Sequence, residues 1–214
     1  MSAAKLAHAV TLVVTTLYTV VLTLSHASLP AGPARILSYI PTVVGFGLLV
    51  FDLWIWRAPL IHRLVGRPRL RGTWLGTLEP AKESRIPTGG DKGPIQVALV
   101  IEQTYWSVGV TLMTAQSMSQ STASSIRSDA ESPGRRVLAY TYANTPDQKH
   151  QGRSPSHLGA AELRVAGRLP TEITGRYWTA RFTAGDMKFK RVNGETDYPS
   201  LDAVVTAAAA SGTT

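Results

Sequence analysis

The sequence predicts a two-helix transmembrane hairpin followed by an all-β domain, an antiparallel up-and-down β-barrel of about eight strands. Three observations carry this expectation. Two long apolar stretches lie within the first 56 residues, and each is nearly free of charge. Beyond residue 70 the chain breaks into short runs rich in Val, Ile, Thr, Tyr and Trp, separated by turn-forming clusters. The charge is also uneven: residues 1–72 hold seven Lys/Arg and one acid, Asp52, whereas the remainder is nearly balanced.

The first span reads AHAVTLVVTTLYTVVLTLSHA over 7–27, without a Lys, Arg or acid. The second, ILSYIPTVVGFGLLVFDLWIW over 36–56, carries only Asp52. About 20 residues of helix cross the ~30 Å hydrocarbon core, so each can span once. The join SLPAGPAR is short and holds two prolines and a glycine. Arg57, Arg63, Arg67, Arg69 and Arg71 follow the second span, against Arg35 alone in the join, and basic flanks stay cytoplasmic. Both ends are therefore expected in the cytosol, with the chain in the inner membrane. A rival reading makes the first span a cleaved signal peptide ending near Ser25-His26-Ala27; the arginines still hold the second span as a stop-transfer helix. Thr11, Thr15, Thr19 and Thr23 recur every four residues, and the expected role of that face is helix packing. Asp52 reads as a carboxylate snorkelling to the headgroups, with a contact to His8 or to another subunit as the alternative.

Residues 61–71 form a basic juxtamembrane linker. Strands are expected at Leu70–Leu78, Ile95–Gln103, Trp106–Thr114, Ser117–Ser128, Arg135–Ala143, Ala160–Val165, Glu172–Phe182 and Met187–Val192, within a cytosolic barrel over 72–195. Closing eight strands removes the exposed edges and leaves room for side chains or one small ligand. Composition also allows Ser117–Ser128 to be a flexible linker. The segment 196–214, ending in VVTAAAASGTT, is expected to be a flexible tail.

Catalytic patterns are absent. With no cysteine, disulfides, thiolate zinc sites, iron–sulfur clusters and thiol nucleophiles are excluded. The near-neutral C-terminal part argues against a DNA- or RNA-binding domain. His150 and His157 lack a third ligand for a metal, and no nucleophile elbow, phosphate loop or dinucleotide fingerprint occurs. No enzyme activity, metal or cofactor is expected. What remains is a set of binding-type side chains. Tyr177, Thr179 and Arg181 share a face by the strand period of two, as do Tyr140 and Tyr142; Gln103, Ser124 and Ser125 add hydroxyls and an amide. Arginine forks to phosphate oxygens and tyrosine rings stack on bases, which suits a nucleotide-type ligand. The same residues are also simply good strand formers. A lipid or other small apolar metabolite in the barrel is the alternative ligand, with Arg181 and Tyr177 then pointing outward.

In order along the chain come two spans, a basic join, Gly72-Thr-Trp-x-Gly76, Ile101-x-Gln103-Thr104 and a serine-rich strand. Tyr140-x-Tyr142-x-Asn144-x-Pro146, His157-x-Gly159, Leu163, Gly175-x-Tyr177-x-Thr179-x-Arg181 and Gly185 complete the series. This order resembles the two-span β-barrel effectors of bacterial CBASS immunity, the cyclic-oligonucleotide-based anti-phage signalling systems. The loop Asp147–Pro155 and the alanine-rich tail depart from the pattern, and the spacing around His157 matches only approximately. The resemblance implies a receptor similar in role to STING. A partner nucleotidyltransferase makes a cyclic dinucleotide on infection, the barrel binds it as activating ligand, and the chains self-associate into oligomers. The spans then disrupt the bilayer, and the cell dies by abortive infection.

Overall fold

The computed structural model describes residues 40–212 except 87, 131, 133 and 153, together with positions 10, 13, 14, 16–18 and 20. Those last seven positions are helical. Thr11, Thr15, Thr19, Thr23 and His8, and most of the first apolar stretch, lie outside the described residues. Helix α1 runs Ile40–Leu53, a 3₁₀ turn covers Ile55–Arg57, and helix α2 runs Pro59–Val65. Pro59 at the first turn supplies a preset φ, and Gly66 ends α2 in the left-handed region at φ 63°, where the missing Cβ removes the steric cost. Among the described residues no helix is long and apolar enough to cross a membrane.

Residues 1–66 group with Thr104–Ser107 as one compact unit, and the rest of the chain forms a second. Within the first unit, the Asp52 carbonyl accepts the Tyr105 amide at 3.0 Å, and its side-chain Oδ1 accepts the Trp106 amide at 2.9 Å. Phe51 meets the Tyr105 ring edge-on at 5.0 Å and Trp106 at 5.9 Å. Asp52 is 1% exposed, so it does not snorkel. Its carboxylate accepts one loop amide through Oδ1, and Oδ2 is buried without a hydrogen-bond partner among the described residues.

The second unit is a closed barrel in which β1 to β8 follow one another in order and β8 returns to β1, every pair antiparallel. The strands are Gly72–Pro80, Ile95–Gln103, Val108–Met113, Ser117–Ser128, Arg135–Pro146, His157–Ala166, Glu172–Thr179 and Ala184–Asn193. Ser117–Ser128 is thus a strand and not a linker. Side chains alternate in and out along each strand, and the inward set forms one continuous core. At the end where residues 67–71 arrive, called here the linker end, Leu70 is fully buried and Trp74 donates from its indole to the Leu70 carbonyl at 3.1 Å. The opposite, far end is ringed by Pro80, Ile95, Ser117, Pro146, His157 and Thr183.

The tail is not flexible as the sequence suggests. Helix α3, Leu201–Ala210, starts at Ser200, whose hydroxyl accepts the Ala203 amide. Leu201, Val204 and Ala208 lie on one helical face and are buried. Leu201 and Val204, with Val205, pack over Ala98, Val100 and Met113, the outward apolar residues of β2 and β3. The small side chains that make the segment look featureless let the helix lie close to the sheet.

Candidate functional site

The far end holds the polar part of the barrel interior. Tyr177 is inward on β7 and packs against the core. Two residues later the strand has ended, and Arg181 belongs to the β7–β8 turn, not to the strand face expected from alternation. Thr179 builds that turn: its Oγ1 accepts the amides of Arg181 (3.1 Å) and Thr183 (3.3 Å) and shares a hydrogen bond with the Thr183 hydroxyl at 2.7 Å. Phe182 completes it with φ 59°, an uncommon value for a non-glycine residue. Thus fixed, Arg181 lines a cavity of about 220 Å³ together with Tyr177, His157, Gln116, Asp91 and others. Its Nη1 donates to the Ser154 hydroxyl at 2.5 Å.

His157 pairs its Nδ1 with the Pro155 carbonyl at 3.1 Å. Burial holds its pKa below the usual histidine range and the Arg181 charge adds to this, while the bond to Pro155 opposes it. The ring is therefore neutral near pH 7, leaving Arg181 as the fixed positive charge among the described lining residues. Behind the cavity three phenols converge over small residues of β6. Tyr140, Ala161 and Tyr177 share one ladder row, and Tyr142, Gly159 and Thr179 share the next. A Cβ at Gly159 would overlap the Tyr142 ring, so the glycine is what lets that phenol lie flat against β6. The Tyr140 and Tyr142 rings are 5.9 Å apart. Burial, with Tyr177 close by, pushes the Tyr142 phenol up to about 12, and Tyr140 and Tyr177 are raised as well, chiefly by burial. All three are neutral, and the Tyr142 and Tyr177 hydroxyls have no hydrogen-bond partner among the described residues.

The structure therefore places Arg181 and Tyr177 on the cavity, with Thr179 positioning Arg181 and with Tyr142 and Tyr140 buried behind Tyr177. Three expected site residues go elsewhere. Gln103 sits at the linker end, 4% exposed; its Oε1 accepts the Leu70 amide at 2.7 Å and its Nε2 donates to the Pro68 carbonyl at 2.9 Å. Its amide pins the arriving chain and is not available to a ligand at the far end. Ser124 faces inward, but its hydroxyl donates to the Val108 carbonyl; with Ser121, which accepts the Val110 amide at 2.9 Å, it joins β4 to β3 where their ladder has only three pairs. Ser125, the next residue, is exposed on the outer wall. Sequence reasoning also misses Ser154, Gln116 and Asp91, which come from loops whose fold no local pattern encodes.

An anion fits this arrangement: a guanidinium on an over-determined turn, neutral phenol donors beside it and rings available for stacking. Among the described residues no cluster of His, Asp and Glu is arranged to hold a metal ion. Residues 65–191 match the family described as Cap15, cyclic dinucleotide receptor domain. CD-NTase-associated protein 15 of Staphylococcus schleiferi is 27% identical over 161 residues, covering 75% of this chain and 81% of that protein.

Proposed function

The chain belongs to the Cap15 cyclic dinucleotide receptor domain family, and from that premise we propose that it is a membrane-anchored receptor and effector of bacterial anti-phage defence. The far-end cavity takes the ligand. Arg181 leaves Ser154 for a phosphate oxygen, Tyr177 stacks on a base, and the Tyr142 and Tyr177 hydroxyls donate to the polar atoms that enter between them. His157, neutral and beside Arg181, offers a ring nitrogen to a base or ribose. The cavity is smaller than the roughly 300–1,000 Å³ usual for small-molecule sites, so one nucleotide half enters and the other rests on the rim. The messenger comes from a partner nucleotidyltransferase, a source suggested by the relative's name.

Ligand-bound barrels then oligomerise, and the two N-terminal spans, 7–27 and 36–56, disrupt the inner membrane. The spans rest on hydropathy, and their orientation on the five arginines after Trp56. The far-end cavity, with Arg181 and Tyr177 turned into it, is the observation that carries the receptor reading. The lipid-carrier alternative calls for an apolar interior with those two side chains outward, which is not their placement.

The test is calorimetric titration and thermal shift of the full chain in detergent against cyclic di-AMP, cyclic di-GMP and mixed cyclic dinucleotides. A ligand should raise the melting temperature in a dose-dependent way. Failure of every one to bind a folded chain overturns the receptor reading. Protease added outside spheroplasts should leave the barrel intact; digestion there overturns the topology.

A further inference from the structure

Two successive hairpins close with the same turn, Thr-x-x-Ser. Thr114-Ala115-Gln116-Ser117 joins β3 to β4 at the far end, and Thr104-Tyr105-Trp106-Ser107 joins β2 to β3 at the opposite end of β3. In each, the threonine amide donates to the serine carbonyl, and the threonine Oγ1 accepts the serine amide. The tips differ. At the far end the Gln116 amide also turns back to Thr114 Oγ1, and the Ala115 amide has no partner among the described residues, which suits a turn that water reaches. In 104–107 all four amides are taken up by protein groups: Tyr105 donates to the Asp52 carbonyl at 3.0 Å and Trp106 to Asp52 Oδ1 at 2.9 Å. Its two central residues are half-buried aromatics, where the other turn has alanine and glutamine.

We infer that the Tyr105–Trp106 tip is a membrane-interface anchor, its rings seated at the headgroup level of the leaflet where the second apolar stretch ends. Unpaired amides are costly in that layer, and this turn leaves none; tyrosine and tryptophan are the side chains that collect there. Its surroundings are apolar. Tyr105 meets the Phe51 and Trp56 rings at 5.0 and 6.0 Å, and on the same unit Val43, Phe46, Leu49, Trp54, Ile55, Leu60 and Leu64 are exposed. The depth follows from the helix. With the stretch 36–56 crossing a core of ~30 Å, Phe51 and Asp52 lie about one turn, ~5.4 Å, inside its end, and the tip bonded to them lies at their level. A carboxylate there is costly in lipid; the tip leaves Oδ2 without a partner but helps to shut Asp52 away, at 1% exposure. Asp52 is also the only acid in 1–66 and 104–107, and Arg57 and Arg63 follow it, so the unit offers anionic headgroups cations. The next acid along the hairpin, Glu102, is exposed on β2 and stays on the water side of the turn. The inference rests on the spanning reading proposed above and extends the membrane contact to a segment from the middle of the barrel sequence.

The tryptophans of the chain are Trp54, Trp56, Trp74, Trp106 and Trp178, so their emission reports the tip directly. The test uses the full chain in vesicles of phosphatidylglycerol and phosphatidylcholine, with a phosphatidylcholine spin-labelled near its headgroup as quencher. With Trp54→Phe, Trp56→Phe and Trp178→Phe in place, emission comes from Trp74, in the barrel core, and Trp106. It should be quenched several-fold more than the emission left after a further Trp106→Phe, and Tyr105→Trp added to that last variant should restore the quenching. Phe46→Trp, on the exposed side of α1, tests the spanning reading through a lipid spin-labelled deep in its acyl chain. Quenching at either tip position upholds the anchor. Quenching of Phe46→Trp with none at either tip position overturns the anchor and leaves the span standing; no quenching of Phe46→Trp overturns both.

Discussion

At the linker end of the barrel the inward positions are Trp74, Leu99, Ile101, Leu138, Leu163, Ile173 and Phe189, each fully or almost fully buried. At the far end the inward positions of β4 to β7 include Ser119, Asn144, Tyr142, His157, Gly159, Tyr177 and Thr179, whereas β1, β2 and β8 stay apolar there with Leu78, Val97 and Met187. The antiparallel ladder runs through both halves, with register shifts at Thr73/Trp74 and Ser121/Ala123 and a β3–β4 pairing confined to the far end. The inward side chains divide the work: the linker half supplies the burial that closes the barrel, and β4 to β7 of the far half supply groups suited to an anion. Each fully buried large apolar side chain contributes about 1.5–3 kcal/mol, so the apolar half can hold the ring shut while the other half keeps a cavity.

This division can be broken from either side. The largest effect is expected from Phe189→Ala, which should lower unfolding free energy by about 3–5 kcal/mol in denaturant melts while the folded fraction keeps its ligand affinity. Arg181→Ala should do the opposite. Loss of a charge-assisted hydrogen bond costs about 1.5–3 kcal/mol of binding, roughly tenfold to over a hundredfold in affinity, with the melting temperature almost unmoved. Gln103→Ala strands the Leu70 amide and should cost about 1–3 kcal/mol of stability; unchanged affinity in calorimetry would sharpen the assignment of this glutamine to the linker end.

The smallest effect concerns pH. The folded pKa of His157 lies below its unfolded value, so the unfolded chain takes up the proton first on acidification. Stability from this group is present above about pH 6.5 and is lost as pH falls toward the folded value. Ligand phosphates favour the charged ring, so affinity should rise by less than tenfold between pH 7 and 5.5, against the opposing charge of Arg181 and with Asp91 also facing the cavity. His157→Gln should flatten both profiles in paired thermal and binding titrations.

Much of this was legible in the sequence. Eight alternating runs with hairpin-scale spacing give the barrel, and Ile95–Gln103 and Ser117–Ser128 have the bounds that spacing predicts. The inward parity of Tyr140, Tyr142 and Tyr177 was legible too. The misplacement of Gln103 was avoidable: in an up-and-down barrel, even-numbered strands finish at the linker end and odd-numbered ones at the far end, and Gln103 finishes β2 while Thr179 finishes β7. Ser124 and Ser125 are adjacent and cannot both face inward. The covering helix also left a sign. Val97-Ala98-Leu99-Val100-Ile101 is apolar without alternation, the mark of a strand covered on both faces. What no local pattern encodes is the turn that swings Arg181 off its strand and the loops that bring Ser154, Gln116 and Asp91 to it.

The loop Thr104–Ser107 lies between two barrel strands in sequence, yet its neighbours belong to the N-terminal unit. A recombinant barrel begun at Arg67 would therefore carry an aromatic wound: Tyr105 and Trp106 would lose Phe51, Trp56 and the Asp52 acceptors together. Such a fragment should be sticky in solution, and its aggregation would be easily mistaken for ligand-independent assembly. Replacing Tyr105 and Trp106 with polar turn-formers should restore a well-behaved soluble fragment without touching the cavity at the other end of the barrel.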